Sequence, residues 1–162
     1  MKKGRPITII FIFLMAFLLS ASAWGEKTGY LMIPPCAFRP ERGGYDFDSS
    51  GFALFQNDGR SDWFYAPVFL PQGAVVTELR MHYLDNSKSN IVLYLICRTG
   101  HSRSRVIASC SSTGQGADNY GDSIKEVANA NPIDNSRYRY YLYLYLPTTL
   151  LSLYQVRITY TY

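Results

Sequence analysis

The stretch Tyr138-Arg139-Tyr140-Tyr141-Leu142-Tyr143-Leu144-Tyr145-Leu146 decides the fold class. One face carries Tyr138, Tyr140, Leu142, Leu144 and Leu146, and the opposite face carries Arg139, Tyr141, Tyr143 and Tyr145. A period of two belongs to a pleated strand, whose successive side chains point to opposite faces; a helix would scatter the same residues around its circumference. Working outward, Tyr154 to Tyr162 repeats the pattern, with Tyr154, Val156, Ile158, Tyr160 and Tyr162 against Gln155, Arg157, Thr159 and Thr161. Val75, Thr77, Leu79, Met81 and Tyr83 likewise oppose Val76, Glu78, Arg80 and His82. Ile91 to Cys97 is apolar on both faces, which places it inside a sheet rather than at an edge.

Turn residues punctuate these runs at Pro71-Gln72-Gly73, Asp85-Asn86-Ser87, Thr99-Gly100, Gly114-Gln115-Gly116, Asp118-Asn119, Asn131-Pro132 and Asp134-Asn135. Ser123 to Ala130 is the only helical candidate and reads better as a strand. The segments between breaks number roughly eight to nine. They predict an all-β fold, a single antiparallel β-sandwich of jelly-roll type, with no linker and no internal repeat.

The beginning of the chain reads differently. Lys2, Lys3 and Arg5 precede an apolar run from Ile7 to Leu19, and Ala21-Ser22-Ala23 supplies the small residues of a cleavage site. The run is too short for a segment built to stay in a bilayer. It predicts a signal peptide over 1–23, a β-sandwich domain over 24–162, and export to the periplasm or exterior. No Cys follows the cleavage site, so lipid attachment there is not expected. With the signal removed, 13 basic side chains (16 less 3) face 12 acidic ones, a net charge of +1. A nucleic-acid surface needs clustered Lys and Arg and is not expected, nor is a membrane partner after cleavage.

Phe64-Tyr65-Ala66-Pro67-Val68-Phe69-Leu70-Pro71-Gln72-Gly73-Ala74-Val75-Val76 resembles part of an uncharacterised β-sandwich module of secreted bacterial proteins. So do Tyr83-Leu84-Asp85-Asn86, Asn131-Pro132-Ile133-Asp134-Asn135 and Val156-Arg157-Ile158-Thr159-Tyr160. The likeness runs from about Ile33 to the end. It implies a sandwich and export, and brings no catalytic motif with it.

Catalytic chemistry finds little support among the residues. The two His are His82, on a polar strand face beside Arg80, and His101, in Gly100-His101-Ser102-Arg103-Ser104 at an expected hairpin tip. Neither has the spacing of a nucleophile elbow. Asp46 with Asp48, and Asp58 with Asp62, are pairs of the type that hydrolyse glycosides, yet nothing sets one of them in an apolar pocket. Asp46-Phe47-Asp48-Ser49-Ser50-Gly51 matches the first half of a calcium loop, but the twelfth position is Asn57 rather than a bidentate Glu. No enzyme activity, cofactor or metal is expected.

Two constellations remain. Tyr141, Tyr143 and Tyr145 share a strand face with Arg139, and aromatic rows with polar tips stack on sugars or anchor protein interfaces. A contact role for the row predicts that Tyr143→Ala weakens binding with little loss of stability. Of the three Cys, Cys97 and Cys110 lie on two arms of one hairpin and are expected to be bridged, leaving Cys36 over.

Three classes of function fit. The first is a secreted, non-enzymatic binding module for a glycan or an extracellular protein. The second is a self-associating structural subunit, for which low net charge and an odd Cys are suited. The third is a small outer-membrane β-barrel ending in Tyr162; Arg98, Arg105 and the prolines near Pro34 disturb its lipid-facing pattern.

Overall fold

In the computed structural model, residues 26–43, 46–100, 103–113, 120–127 and 131–162 are described. The expected signal peptide and the His101-Ser102 pair lie outside them. Among the described residues eleven strands form: β1 (Thr28–Ile33), β2 (Arg39–Pro40), β3 (Phe47–Ser49), β4 (Leu54–Gln56), β5 (Asp62–Val68), β6 (Val75–Asp85), β7 (Val92–Thr99), β8 (Arg103–Ser111), β9 (Tyr120–Glu126), β10 (Arg139–Leu146) and β11 (Leu151–Thr161). Ser123 to Glu126 is indeed strand, within β9.

The strands make two antiparallel sheets, in the orders β3-β4-β11-β6-β9 and β2-β5-β10-β7-β8, with β1 added alongside β11 in the first. Four pairings are nested: β4 with β11, β5 with β10, β6 with β9, and β7 with β8. That is a long hairpin rolled up until its two arms lie in facing sheets, the jelly-roll winding. The expected eight or nine strands correspond to these eight, and β1, β2 and β3 extend the edges. The barrel alternative is not the architecture found, since the described strands form two open sheets.

Alternation drives the packing. Tyr140, Leu142, Leu144 and Leu146 of β10 turn inward with Phe64, Ala66 and Val68 of β5 and Leu93, Leu95 and Cys97 of β7. They meet Leu79, Met81 and Tyr83 of β6 and Leu151, Leu153, Val156 and Ile158 of β11. Sheets so packed stand about 10 Å apart, a gap filled by side chains from both inner faces. The Pro71–Ala74 turn supports one end of the roll. The Ala74 amide donates to the Pro71 carbonyl at 3.2 Å, and Gly73 takes φ +81°, the left-handed conformation that a type II turn needs at its third residue. Gly73 and Ala74 then exchange hydrogen bonds with Ile133, whose side chain is buried.

Two expected faces change phase part-way. Leu153 pairs with Tyr83 and Gln155 with His82, so Tyr154 is the extra residue of a bulge. Leu151 and Leu153 therefore share the core with Val156 and Ile158, while Tyr154 comes to lie beside His82, ring centroids 5.8 Å apart. On β6, Thr159 pairs with Glu78 and Tyr160 with Val76, which leaves Thr77 as the extra residue and puts Val76 in the core instead of Val75. A one-residue bulge reverses the side of every residue beyond it.

The expected Cys97–Cys110 bridge is not formed. All three Cys are free thiols, Cys36 exposed and the other two buried. Cys97 stands opposite Arg105, and Cys110 opposite Leu93. The two therefore lie four residues apart along the hairpin, about 13 Å, against a Cα–Cα limit of about 7 Å. Burial pushes the Cys110 thiol up to about 11 despite a hydrogen bond with Ser123.

Candidate functional site: an aromatic face

The outer face of the five-stranded sheet gathers aromatic residues from three adjacent strands. On β10, Tyr141, Tyr143 and Tyr145 face outward and are half-buried, with Arg139 exposed at the end of the row. The register sets Tyr143 between Tyr65 of β5 and Tyr94 of β7, Tyr145 beside Trp63, and Tyr141 between Pro67 and Ile96. Trp63, Tyr65 and Pro67 reach this face because Asp62–Val68 also alternates, sending Phe64, Ala66 and Val68 inward. The row from Arg139 to Tyr145 spans about 20 Å.

The rings are not equivalent. Trp63 lies against Tyr143 with centroids 4.7 Å apart and planes within 16°, and against Tyr145 at 4.8 Å; Tyr94 is 6.2 Å away. Tyr143 is further held by a hydrogen bond from its hydroxyl to Glu41, whose own amide donates to the Trp63 carbonyl at 2.7 Å. Desolvation first, then that carboxylate, pushes the Tyr143 hydroxyl up to about 12. Trp63, Tyr143 and Tyr145 thus form a braced stack. Tyr65 and Tyr141 flank the stack, and neither ring stacks on another among the described residues. Tyr65 is 40% exposed.

Beyond Tyr141 the face runs into a groove of about 490 Å³ lined by Pro67, Phe69, Leu70, Asn135, Tyr138 and Arg139 among others. Phe69 is almost fully exposed. The groove is shaped by Asn135, whose side-chain amide donates to the Leu70 carbonyl at 2.9 Å and whose backbone amide donates to Gln72.

The other sheet presents a different outer face. Arg157 bonds Glu78 at 2.8 Å, Arg80 lies between Glu78 (3.7 Å) and Asp122 (3.9 Å), and His82 bonds Asp122 at 2.8 Å. Its cations are matched by carboxylates, and the Arg157 hydrogen bond holds Glu78 below the usual carboxylate range. His82 sits beside Arg80 on this polar face, as its strand position indicated.

Asp46 accepts from the Asn57 side chain at 3.0 Å in the β3–β4 hairpin. Asp58 pairs with Arg60 at 3.1 Å. Asp62 is buried with one carboxylate oxygen unpartnered, and desolvation raises its pKa. Among the described residues no group of three or more His, Cys, Asp or Glu could hold a metal ion.

The sequence placed Tyr141, Tyr143 and Tyr145 on one strand face, as observed, and did not bring Trp63, Tyr65 and Tyr94 to it. The alternation of Asp62–Val68 marked Trp63 and Tyr65 as outward-facing, but only the strand order could bring them beside Tyr143.

A jelly-roll sandwich with one aromatic outer face is the class that fold and site define. No family model and no curated protein matches the chain. Several solved structures are similar in part. The C-terminal family 6 carbohydrate-binding module of a marine laminarinase from Zobellia galactanivorans superposes with a TM-score of 0.50 at 12% identity, over 81% of this chain and 99% of that one. A family 29 carbohydrate-binding module from Piromyces equi gives 0.47 at 8% identity, over 83% and 91%. The CBM22-1–GH10 portion of Clostridium thermocellum xylanase 10B, complexed with xylohexaose, gives 0.49 at 12%, over 78% of this chain and 26% of that one. At 12% identity the likeness to the family 6 module is one of fold.

Proposed function

We propose that this chain is an exported, non-enzymatic module that binds a glycan across the outer face of its five-stranded sheet. The observation that carries the reading is the cluster of Trp63, Tyr65, Tyr94, Tyr141, Tyr143 and Tyr145 on one face, braced by the Trp63–Tyr143 stack at 4.7 Å. Sugar rings present C–H faces that pack on aromatic rings, and hydroxyls that bond to polar groups at the rim. Tyr65 and Tyr141 offer ring surface; Glu41, Asn135 and Arg139 offer rim partners. A row about 20 Å long suits an extended chain of sugars rather than a single one. The family 6 carbohydrate-binding module that shares the fold supports the reading.

The test uses the intrinsic fluorescence of Trp63. The chain has two Trp, the other being Trp24, so Trp24→Phe isolates the signal. Titration with soluble polysaccharides should perturb Trp63 emission saturably, and Tyr65→Ala with Tyr141→Ala should abolish the response. A protein that self-associates through this face, without responding to any polysaccharide, would replace the glycan reading with that of a structural subunit.

A further inference from the structure

The aromatic face is electrically lopsided. Arg98 of β7 and Arg139 of β10 are Cα partners in the register, and both face outward and are exposed. Directly opposed like charges destabilise a strand pair. No carboxylate among the described residues lies within ion-pair distance of either guanidinium. On the opposite sheet, by contrast, the outward-facing Arg80 and Arg157 are both matched to acids. The Arg98–Arg139 end gains further positive charge from Arg137, whose guanidinium lies 5.7 Å from the Tyr138 ring. Asp134, three residues before Arg137, accepts from the Ser136 amide at 3.1 Å and the Ser136 hydroxyl at 2.6 Å and offsets part of the Arg137 charge, which leaves Arg98 and Arg139 as the uncompensated pair. At the far end of the face the charge is mixed: Glu41 and Asp62 act to raise the Tyr143 pKa and Arg42 to lower it.

We infer that the ligand of this face is an acidic glycan, with an oxyanion substituent (a uronate carboxylate or a sulfate) held between Arg98 and Arg139. The inference rests on the glycan-binding reading and names its substrate class. Arg139 lines the groove that opens beside Tyr141, so an anion there continues a chain lying along the tyrosine row. Two guanidiniums a strand apart present paired N–H donors, the geometry that suits carboxylate and sulfate oxygens. The unpaired charge of the free protein is then relieved on binding.

The experiment is a binding panel of the mature chain on polysaccharides in matched pairs that differ only in charge. Polygalacturonate is set against its methyl ester, and a sulfated galactan against the desulfated polymer, within a wider array of acidic and uncharged glycans. Acidic members should bind at least tenfold more tightly than their uncharged partners. Arg98→Gln and Arg139→Gln should each cost about tenfold on acidic ligands, Arg98→Gln should leave uncharged ones unchanged, and Tyr141→Ala should weaken both classes. The stronger pair separates carboxylate from sulfate. Preference for uncharged glycans, or acidic binding indifferent to both arginine variants, overturns this inference and leaves the glycan-binding reading standing. Acidic binding that survives Tyr141→Ala is plain charge attraction and also overturns it. Absence of binding across the array sinks both.

Discussion

Replacing Tyr143 and replacing Tyr141 by Ala should have opposite signatures, although both rings belong to one row. Tyr143 lies within 4.7 Å of Trp63, nearly parallel to it, and its hydroxyl bonds Glu41. Losing the ring pair costs about 1 kcal/mol beyond burial, and the half-buried apolar surface about another 1 kcal/mol. The hydrogen bond to exposed Glu41 adds little, because solvent screens it. Tyr143→Ala should therefore lose about 2 kcal/mol, or about 8 °C in Tm for a domain of this size, which replaces the small loss expected from the sequence, because the stack on Trp63 makes this ring a brace. Tyr141 has no ring partner among the described residues, and Tyr141→Ala should lose under about 1 kcal/mol. Denaturant titration followed by circular dichroism measures both. A cycle of Trp63→Ala and Tyr143→Ala should show coupling of about 1 kcal/mol. Equal destabilisation by the two Tyr variants, or no coupling to Trp63, refutes the braced stack.

Further expectations concern the thiols, the alkaline limit and one glycine. Without reductant, a thiol reagent should label Cys36 rapidly in the native protein and all three Cys after unfolding; a count of one after unfolding would mean that Cys97 and Cys110 are bridged after all. Tyr143 has a folded pKa near 12 against an ordinary 10.0, so its contribution to stability is complete below pH 10 and is lost as pH rises towards 12. Tyr143→Phe should flatten that part of the pH–stability curve, and an unchanged curve would remove Tyr143 as its cause. A Cβ at Gly121 would stand 2.8 Å from the Tyr83 hydroxyl, whereas one at Gly51 meets nothing within 4 Å. Gly121→Ala should cost about 1–3 kcal/mol and Gly51→Ala almost nothing in the same chemical denaturation; equal costs would contradict the close approach.

Strand existence was legible wherever a period of two ran unbroken, as in Arg139–Leu146, because burial on one face selects apolar residues at alternate positions. It failed at Thr77 and Tyr154, where a single bulged residue inverts the pattern and no side chain announces it. The disulfide expectation failed for a related reason. Two Cys on adjacent arms look paired in sequence, but register set Cys110 against Leu93 rather than against Cys97. The site was half legible. Local alternation exposed Tyr141, Tyr143 and Tyr145, yet Trp63, Tyr65, Tyr94 and Arg98 joined them only through strand order, a long-range property. The opposed arginines are the extreme case, since 41 positions separate Arg98 from Arg139 along the chain.

Affinity electrophoresis of the protein, through gels cast with polysaccharides, tests glycan binding by the aromatic face most directly. At least one polysaccharide should retard the protein, and the Tyr65→Ala/Tyr141→Ala double variant, still folded by circular dichroism, should run unretarded. Equal retardation of the folded double variant, or no retardation in any gel, would contradict glycan binding at this face.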